Sequence, residues 1–366
     1  MKIPYVNLSK QYLSEKKELL SVISKTLKTG QFVGGDEVKK FEKKICSLLK
    51  VKYCIALNSG TDALTLGLHV LGVRKNDEVI TTSNSFIAST AVIVHLGAKP
   101  VFVDVNPDQC INADLVEKAI TKKTKAIMAV HLTGRVCDMD KLKKISKKFS
   151  IPIIEDAAQS IGSKFGKKFA GSFGKIGCFS AHPLKNLNAC GDGGYLTTNS
   201  KKIANFIRDV SNHGMTNRNR VKNFGYVSRM DNLQAAILNF RLKKLNNIIK
   251  KRRQNVKIYL KYLNSKNVFI AKEKTKEFNT YHTFVVHVNK RNKLKQYLTR
   301  KGIGTAIHYP IPIHLQPAIK KYKYSSTDLS ETIKQSKRII TLPINQFLKN
   351  NEIKKICKEI NNFYEN

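Results

Sequence analysis

A chain of 366 residues, 42% hydrophobic and 25% charged, is long enough to bury one large core or two unequal ones, which excludes disorder as its whole character. Its seven cysteines (Cys46, Cys54, Cys110, Cys137, Cys178, Cys190 and Cys357) form no CxxC pair and no cluster, so neither a disulfide framework nor a zinc ribbon fits, and a reducing cytoplasm is the expected compartment. The formal net charge of +40 is spread as lysine-rich runs along the whole chain without a nucleic-acid-binding pattern, so no specific nucleic-acid partner is expected; the positive field would speed the arrival of an anionic small substrate. No stretch approaches the roughly 18 apolar residues of a membrane span, and the start, MKIPYVNLSKQYLSEKK, lacks the apolar run of a secretion signal, so no membrane insertion is expected.

Between residues 50 and 200 short β-rich runs alternate with amphipathic, helix-length stretches, the pattern of an α/β protein with a mixed, mostly parallel sheet. Seven runs are predicted as strands: YCIAL (53–57), EVITT (78–82), PVFVDV (100–105), AIMAVHL, IPIIED (151–156), IGCFSA (176–181) and GGYLTTN (193–199). Between the fourth and fifth, KLKKISKKF carries Leu142, Ile145 and Phe149 at helical spacing, which predicts a βαβ unit. Residues 229–265 read as one or two helices, and FVVHV (284–288) opens a smaller α/β region that ends in a helix near 351–364. A boundary near 245 is expected, with 1–245 as the large domain and 246–366 as the small one.

Ligands in open α/β sheets bind beyond the carboxyl ends of the strands, so the polar residues that follow each run are the candidates. After the first run, Asn58, Ser59, Gly60, Thr61 and Asp62 open a helix; its free N–H groups and hydroxyls suit a phosphate, and a plain cap by Ser59 or Thr61 is the alternative. After the second run, Phe86 is placed either to stack on a flat ring or to fill the core. The fifth run ends in Glu155-Asp156, and a carboxylate at the end of a buried strand needs a cation, either a pyridinium nitrogen or a structural Arg or Lys. After the sixth run, Lys185 sits beside Pro183 in a segment otherwise poor in charge, where it could be a desolvated amine fit for Schiff-base chemistry. A phosphate cradle, a stacking aromatic, an acid for a ring nitrogen and an amine together form the set that pyridoxal phosphate requires.

The blocks FVGGDEVKKFE (32–42), NSGTDAL (58–64), SFIAS (85–89), VHLTG (130–134), EDAAQS (155–160), FSAHPLKNL (179–187), GDGG (191–194), NHG (212–214), GYVSRMDNLQAA (225–236) and GIGTAIHYPIPIHLQPA (302–318) run over nearly the whole chain. Their order and content resemble the DegT/DnrJ/EryC1/StrS family of PLP-dependent sugar aminotransferases. The resemblance implies the type I aminotransferase fold and a homodimer with shared active sites. It further implies that Lys185 is the catalytic Schiff-base lysine, that Asp156 pairs the pyridine nitrogen, that Gln159 bonds the ring hydroxyl, that Gly60, Thr61 and Ser180 hold the phosphate, and that Phe86 stacks on the ring. His308 and Tyr309 resemble the pair that anchors substrate in enzymes acting on 3-oxo sugar nucleotides. The implied reaction moves an amino group from L-glutamate or glutamine to a keto group, at C3, of a nucleotide-linked hexose; a dehydratase-like PLP enzyme or a non-catalytic regulator on the same scaffold is the alternative. Four positions depart from the family pattern: Val227 where Asn is common, Asn188 where Gly is common, Arg135 where Gln is frequent, and His182 where an aromatic usually precedes Pro, an imidazole placed either to contact substrate or to pack.

Overall fold

The structure, a computed structural model, describes residues 2–264 and 266–365. Its main sheet contains β1 (Tyr53–Leu57), β2 (Glu78–Thr82), β3 (Lys99–Val103), β4 (Thr124–Val130), β5 (Ile153–Asp156), β6 (Ile176–Ser180) and β7 (Gly194–Thr198). The spatial order is β1-β7-β6-β5-β4-β2-β3, and the two-residue strand Ser325–Ser326 adds an eighth member beside β3. The expected count of seven is therefore one short: a two-serine strand carries no β-rich run to betray it, and it pairs in parallel register with Val101 and Phe102. Only β7 runs against its neighbours, so β1, β2, β3, β4, β5 and β6 all end at the same edge of the sheet.

The strands are buried along most of their length because both of their faces are covered. In β4, Ile127 and Ala129 belong to one core while Ala126, Met128 and Val130 belong to the other, the period-two alternation of a doubly packed strand. The helices are α1 (Leu8–Leu27), α2 (Asp36–Leu49), α3 (Gly60–Val70), α4 (Ala88–His95), α5 (Ala113–Lys118), α6 (Met139–Phe149), α7 (Lys201–Val210), α8 (Asn232–Leu242), α9 (Leu245–Tyr262), α10 (Arg291–Arg300), α11 (Ser330–Arg338) and α12 (Asn350–Glu365). Helices α2, α5, α6 and α8 cover one face of the sheet, and α3, α4 and α7 the other. On α6 the buried stripe is Met139, Leu142 and Ile145, not the expected stripe ending at Phe149, which is exposed where the helix ends in the left-handed residue Ser150.

A third core gathers around a small antiparallel sheet of β8 (Val268–Phe269), β9 (Phe284–Val288) and β10 (Ile339–Leu342). Helix α9 joins the large and small cores: Leu245 and Ile249 pack on the large one, Val256 and Tyr259 on the small one. Ile3 also lies in the small core, and a fourth cluster seats Ile313, Ile319 and Leu329 on Phe102 of β3. Asp104, just past β3, accepts the N–H groups of Glu331 and Thr332 and so caps the start of α11.

The predicted fourth strand AIMAVHL stops early, at Val130, and residues 132–134 turn away as a 3₁₀ element with Thr133 at φ 64°. His131 marks this break. Its Nδ1 accepts the Cys137 N–H at 3.2 Å, so Nε2 carries the ring proton and donates it to Glu155 at 2.9 Å. Glu155 is fully buried and also accepts the N–H groups of Gly171 (2.7 Å), Phe173 (2.7 Å) and Gly174 (2.6 Å). Replacing Glu155 with Ala orphans these buried donors together. The expected loss is about 3 kcal/mol or more in urea unfolding, with a smaller loss for Glu155→Gln, which keeps an acceptor oxygen.

Candidate active site

The strand ends, the turn after β6 and the segments 282–283, 308–309 and 344–345 enclose a cavity of about 420 Å³. Gly60, Thr61, Phe86, Asp156, Gln159, Ser180, His182, Lys185, His308 and Tyr309 all line it together with Ser59, whereas Asn58 and Asp62 do not.

At one end, Ser59 caps α3 by accepting the Asp62 N–H at 3.1 Å, which leaves the N–H groups of Gly60 and Thr61 at the open helix end. Capping and anion binding, posed as alternatives by the sequence, are thus compatible here. Glycine is required on both sides of the cradle. A Cβ on Gly60 would lie 2.7 Å from the Ser180 Cβ, and one on Gly194 would lie 2.2 Å from the Ser59 carbonyl carbon. Backbone therefore approaches backbone, and the helix end stays open toward the cavity.

Asp156 ends β5 buried, with Ser89 Oγ donating to Oδ2 at 2.7 Å and the Ala158 N–H to Oδ1 at 3.2 Å. Ser85 supports Ser89 at 2.7 Å. Among the described residues no Lys, Arg or His pairs with this carboxylate within the protein, so a structural Arg or Lys is not its counter-ion. A buried acid that two donors orient but do not neutralise suits the cationic ring nitrogen of a pyridoxal cofactor.

Lys185 stands in the turn between β6 and β7, its N–H bonded to the His182 carbonyl at 2.8 Å. Burial pulls its pKa down to about 8, against the opposing pull of Asp156. Asn188 stiffens this turn: its Nδ2 donates to the Pro183 carbonyl at 2.6 Å and its amide pairs reciprocally with Gln11. Arg241, itself paired with Glu15, holds the Asn188 carbonyl at 2.9 Å and the Ala189 carbonyl at 3.1 Å. An asparagine at 188 is therefore a clamp for the lysine turn.

Gln159 accepts the Thr133 N–H at 2.8 Å and donates to the Tyr309 hydroxyl at 3.4 Å, which fixes its amide. Phe86 is 56% exposed, so it is not a core residue, and its ring centroid is 6.2 Å from that of Tyr309. His308 bonds Thr341 Oγ1 at 2.9 Å; burial, reinforced by the Lys185 charge, pulls its pKa down to about 4 and keeps it neutral. His182 is exposed at the cavity wall and accepts the Leu184 N–H at 3.3 Å, so it does not pack into a core. Two of the departing residues lie elsewhere. Arg135 is buried in an ion pair with Glu277 and bonds the carbonyls of Ala271 and Lys272, while Val227 is exposed on the surface.

Sequence reasoning missed Tyr5, Arg252, His282 and Asn345, which also line the cavity. For Arg252 a signal existed: with Leu245, Ile249, Val256 and Tyr259 it shares the buried stripe of α9, where a charge is out of place.

The profile of the DegT/DnrJ/EryC1/StrS aminotransferase family matches residues 13–361. The chain belongs to this family. It is 36% identical to a pleiotropic regulatory protein of Geobacillus stearothermophilus, over 100% of this chain and 99% of that one. It is likewise 36% identical to the dTDP-3-amino-3,6-dideoxy-alpha-D-galactopyranose transaminase of Aneurinibacillus thermoaerophilus, over 99% of each. Among solved structures, NtdA of Bacillus subtilis with bound cofactor PMP superimposes with a TM-score of 0.93 at 32% identity, over 100% of this chain and 86% of that one. Membership makes the chain a transaminase that works with pyridoxal phosphate, and the cradle, the acid and the amine described above fit that cofactor.

Gly194→Ala tests the cradle. The added methyl has to displace the Ser59–Gly60 backbone, so the variant is expected to bind pyridoxal phosphate at least about tenfold more weakly by absorbance titration, the worth of one or two lost hydrogen bonds to an anion. Unchanged affinity would place the phosphate elsewhere.

Proposed function

We propose that this transaminase carries an amino group from L-glutamate to the 3-keto group of a nucleotide-linked hexose, a step in making an amino sugar for a surface glycan or natural product. The observation that carries the reading is the convergence of Lys185, Asp156 and the α3 helix end on one cavity, with the lysine desolvated. Bound there, the cofactor supplies a carbonyl that takes up the amino group and a cationic ring that draws electrons from the reacting carbon.

In this reading each residue has a task set by its chemistry. Lys185 would hold the cofactor covalently and, once released, its Nζ would move a proton from the donor's α-carbon to the cofactor carbon that takes up the amine, and in the second half from that carbon to the sugar carbon that becomes aminated. A pKa near 8 leaves a useful share of neutral amine at physiological pH, whereas an ordinary lysine would be almost wholly protonated. Asp156, oriented by Ser89 and Ala158, keeps the ring nitrogen protonated. Gln159 meets the ring hydroxyl, Phe86 covers the ring face, and Gly60, Thr61 and Ser180 hold the phosphate. His308, His182 and Tyr309 contact the sugar. A neutral imidazole at His308 can donate or accept to a sugar hydroxyl without repelling the cationic lysine.

The C3 assignment is supported by the His308-Tyr309 pair at the cavity wall and by the 36%-identical relative named for a 3-amino sugar. A homodimer with shared sites belongs to the same reading. It is supported by the exposure of the large apolar side chains of Phe32, Val33, Phe224, Tyr226 and Val227 just before α2 and α8, two segments joined by the bridge between Val33 and Asp231.

With added pyridoxal phosphate, a visible absorption band is expected that disappears on excess L-glutamate. A band that neither glutamate nor glutamine moves would overturn the transaminase reading. Lys185→Ala should abolish both the band and amino transfer while leaving thermal unfolding unchanged. The rate at which cofactor-free protein takes up added pyridoxal phosphate should rise with pH through about 8, because the neutral amine is the reactive form and the folded pKa is lowered. A rise that appears only near pH 10 would show that Lys185 is not desolvated.

A further inference from the structure

Arg252 is 8% exposed yet lines the cavity. Its Nη1 donates to the carbonyls of Tyr281 (3.1 Å) and His282 (3.0 Å), its Nη2 to Gln346 Oε1 (3.4 Å), and its Nε has no partner. All these partners are neutral. Two of the other buried arginines, Arg135 and Arg241, each have a carboxylate, and the third, Arg291, is bonded to the Ile339 carbonyl and Asn292 outside the cavity. Among the described residues Arg252 is thus the buried guanidinium that borders the cavity without an acid.

Its setting points to what completes it. Arg252 and Lys185 border not only the main cavity but also a second pocket of about 20 Å³, so the two residues share the walls of both spaces. The cavity's own acids, Asp156 and Asp192, do not pair with Arg252, and its other titratable residues are Lys185, the tyrosines Tyr5 and Tyr309, whose hydroxyls burial keeps protonated, and the histidines His131, His182, His282 and His308, none of them an anion. Burial lowers the pKa of Arg252 to about 10, which still leaves it charged at neutral pH. A buried cation with neutral partners gains most from an arriving carboxylate, which accepts two hydrogen bonds at once from its fork.

We propose that Arg252 is a carboxylate anchor within the cavity, binding the acid group of the amino donor or that of an acidic sugar. This inference rests on the reading of the cavity as the transaminase site and adds the point at which an acid is held while its amine meets Lys185.

The test uses holoenzyme and three probes measured by calorimetry: glutarate, UDP-glucuronate and UDP-glucose. Arg252→Gln is expected to weaken glutarate at least about tenfold, the scale of one charged hydrogen-bonded contact, with UDP-glucose unchanged and the glutamate KM raised in parallel. Loss confined to UDP-glucuronate would support the anchor and assign it to the sugar acid. Arg252→Lys, which keeps the charge, should recover part of the lost carboxylate binding. The anchor is overturned if Arg252→Gln leaves both acids bound as before. It is also overturned if all three probes weaken equally with falling thermal stability and Arg252→Lys restores none of them, since Arg252 then only holds the 281–283 wall. Wild-type holoenzyme that binds glutarate but takes no amino group from glutamate would sink the transaminase reading while leaving the anchor standing.

Discussion

Two adjacent carboxylates at the end of β5 organise this molecule, because strand alternation sends them to opposite sides while both remain out of water. Glu155 is satisfied entirely from within: three backbone N–H groups of the 171–174 turn and the His131 ring converge on it. That convergence ties β4, β5 and the turn before β6 together at the sheet edge where the chemistry lies. Asp156 is left only partly satisfied, with a serine and one N–H, and so remains able to stabilise a cation in the cavity. A strand with one anchored acid and one available acid separates the structural requirement from the chemical one within two residues.

The same division recurs around Lys185. Desolvation makes the lysine a usable nucleophile, but a desolvated amine on a loose turn would find water by moving. Two ties prevent that movement: Gln11 of α1 pairs with the Asn188 side-chain amide, and Arg241 of α8, paired with Glu15 of α1, bonds the Asn188 and Ala189 carbonyls from behind. Helix α1 is therefore part of the support of the site although it contributes little to its wall. His282, with burial and the charges of Lys185 and Arg252 acting on it, stays neutral, as does His308. Neutral rings around two cations let polar contacts form without adding charge to a confined space.

Much of the fold was legible because strands covered on both faces carry consecutive apolar residues, as in YCIAL, AIMAV and IGCF, and such short runs recur between helix-length amphipathic stretches. What escaped had no such constraint. The Ser325–Ser326 strand lies in a polar segment held by Phe102 and Asp104, more than two hundred residues away in sequence. The early end of β4 at Val130 follows from the His131–Glu155 bond and the left-handed Thr133, tertiary demands that override the apolar pattern running on to Leu132.

The candidate site was legible to the extent that its residues follow strand ends, as Gly60, Phe86, Asp156 and Ser180 do, or resemble family blocks, as Lys185, Gln159, His308 and Tyr309 do. Arg252 fell outside both routes. It sits in the run KKRRQ, in a chain with 66 Lys and Arg against 26 Asp and Glu, where one more basic residue attracts no notice. Its position on the apolar stripe of α9 separates it from its neighbours: Lys250 and Lys251 lie toward solvent, whereas Arg252 is carried inward between Ile249 and Val256. A helix that must cross from the large core to the small one passes the cavity on its way, and the residue it presents there is fixed by helical geometry, so the charge of Arg252 is a property of the site more than of the surface.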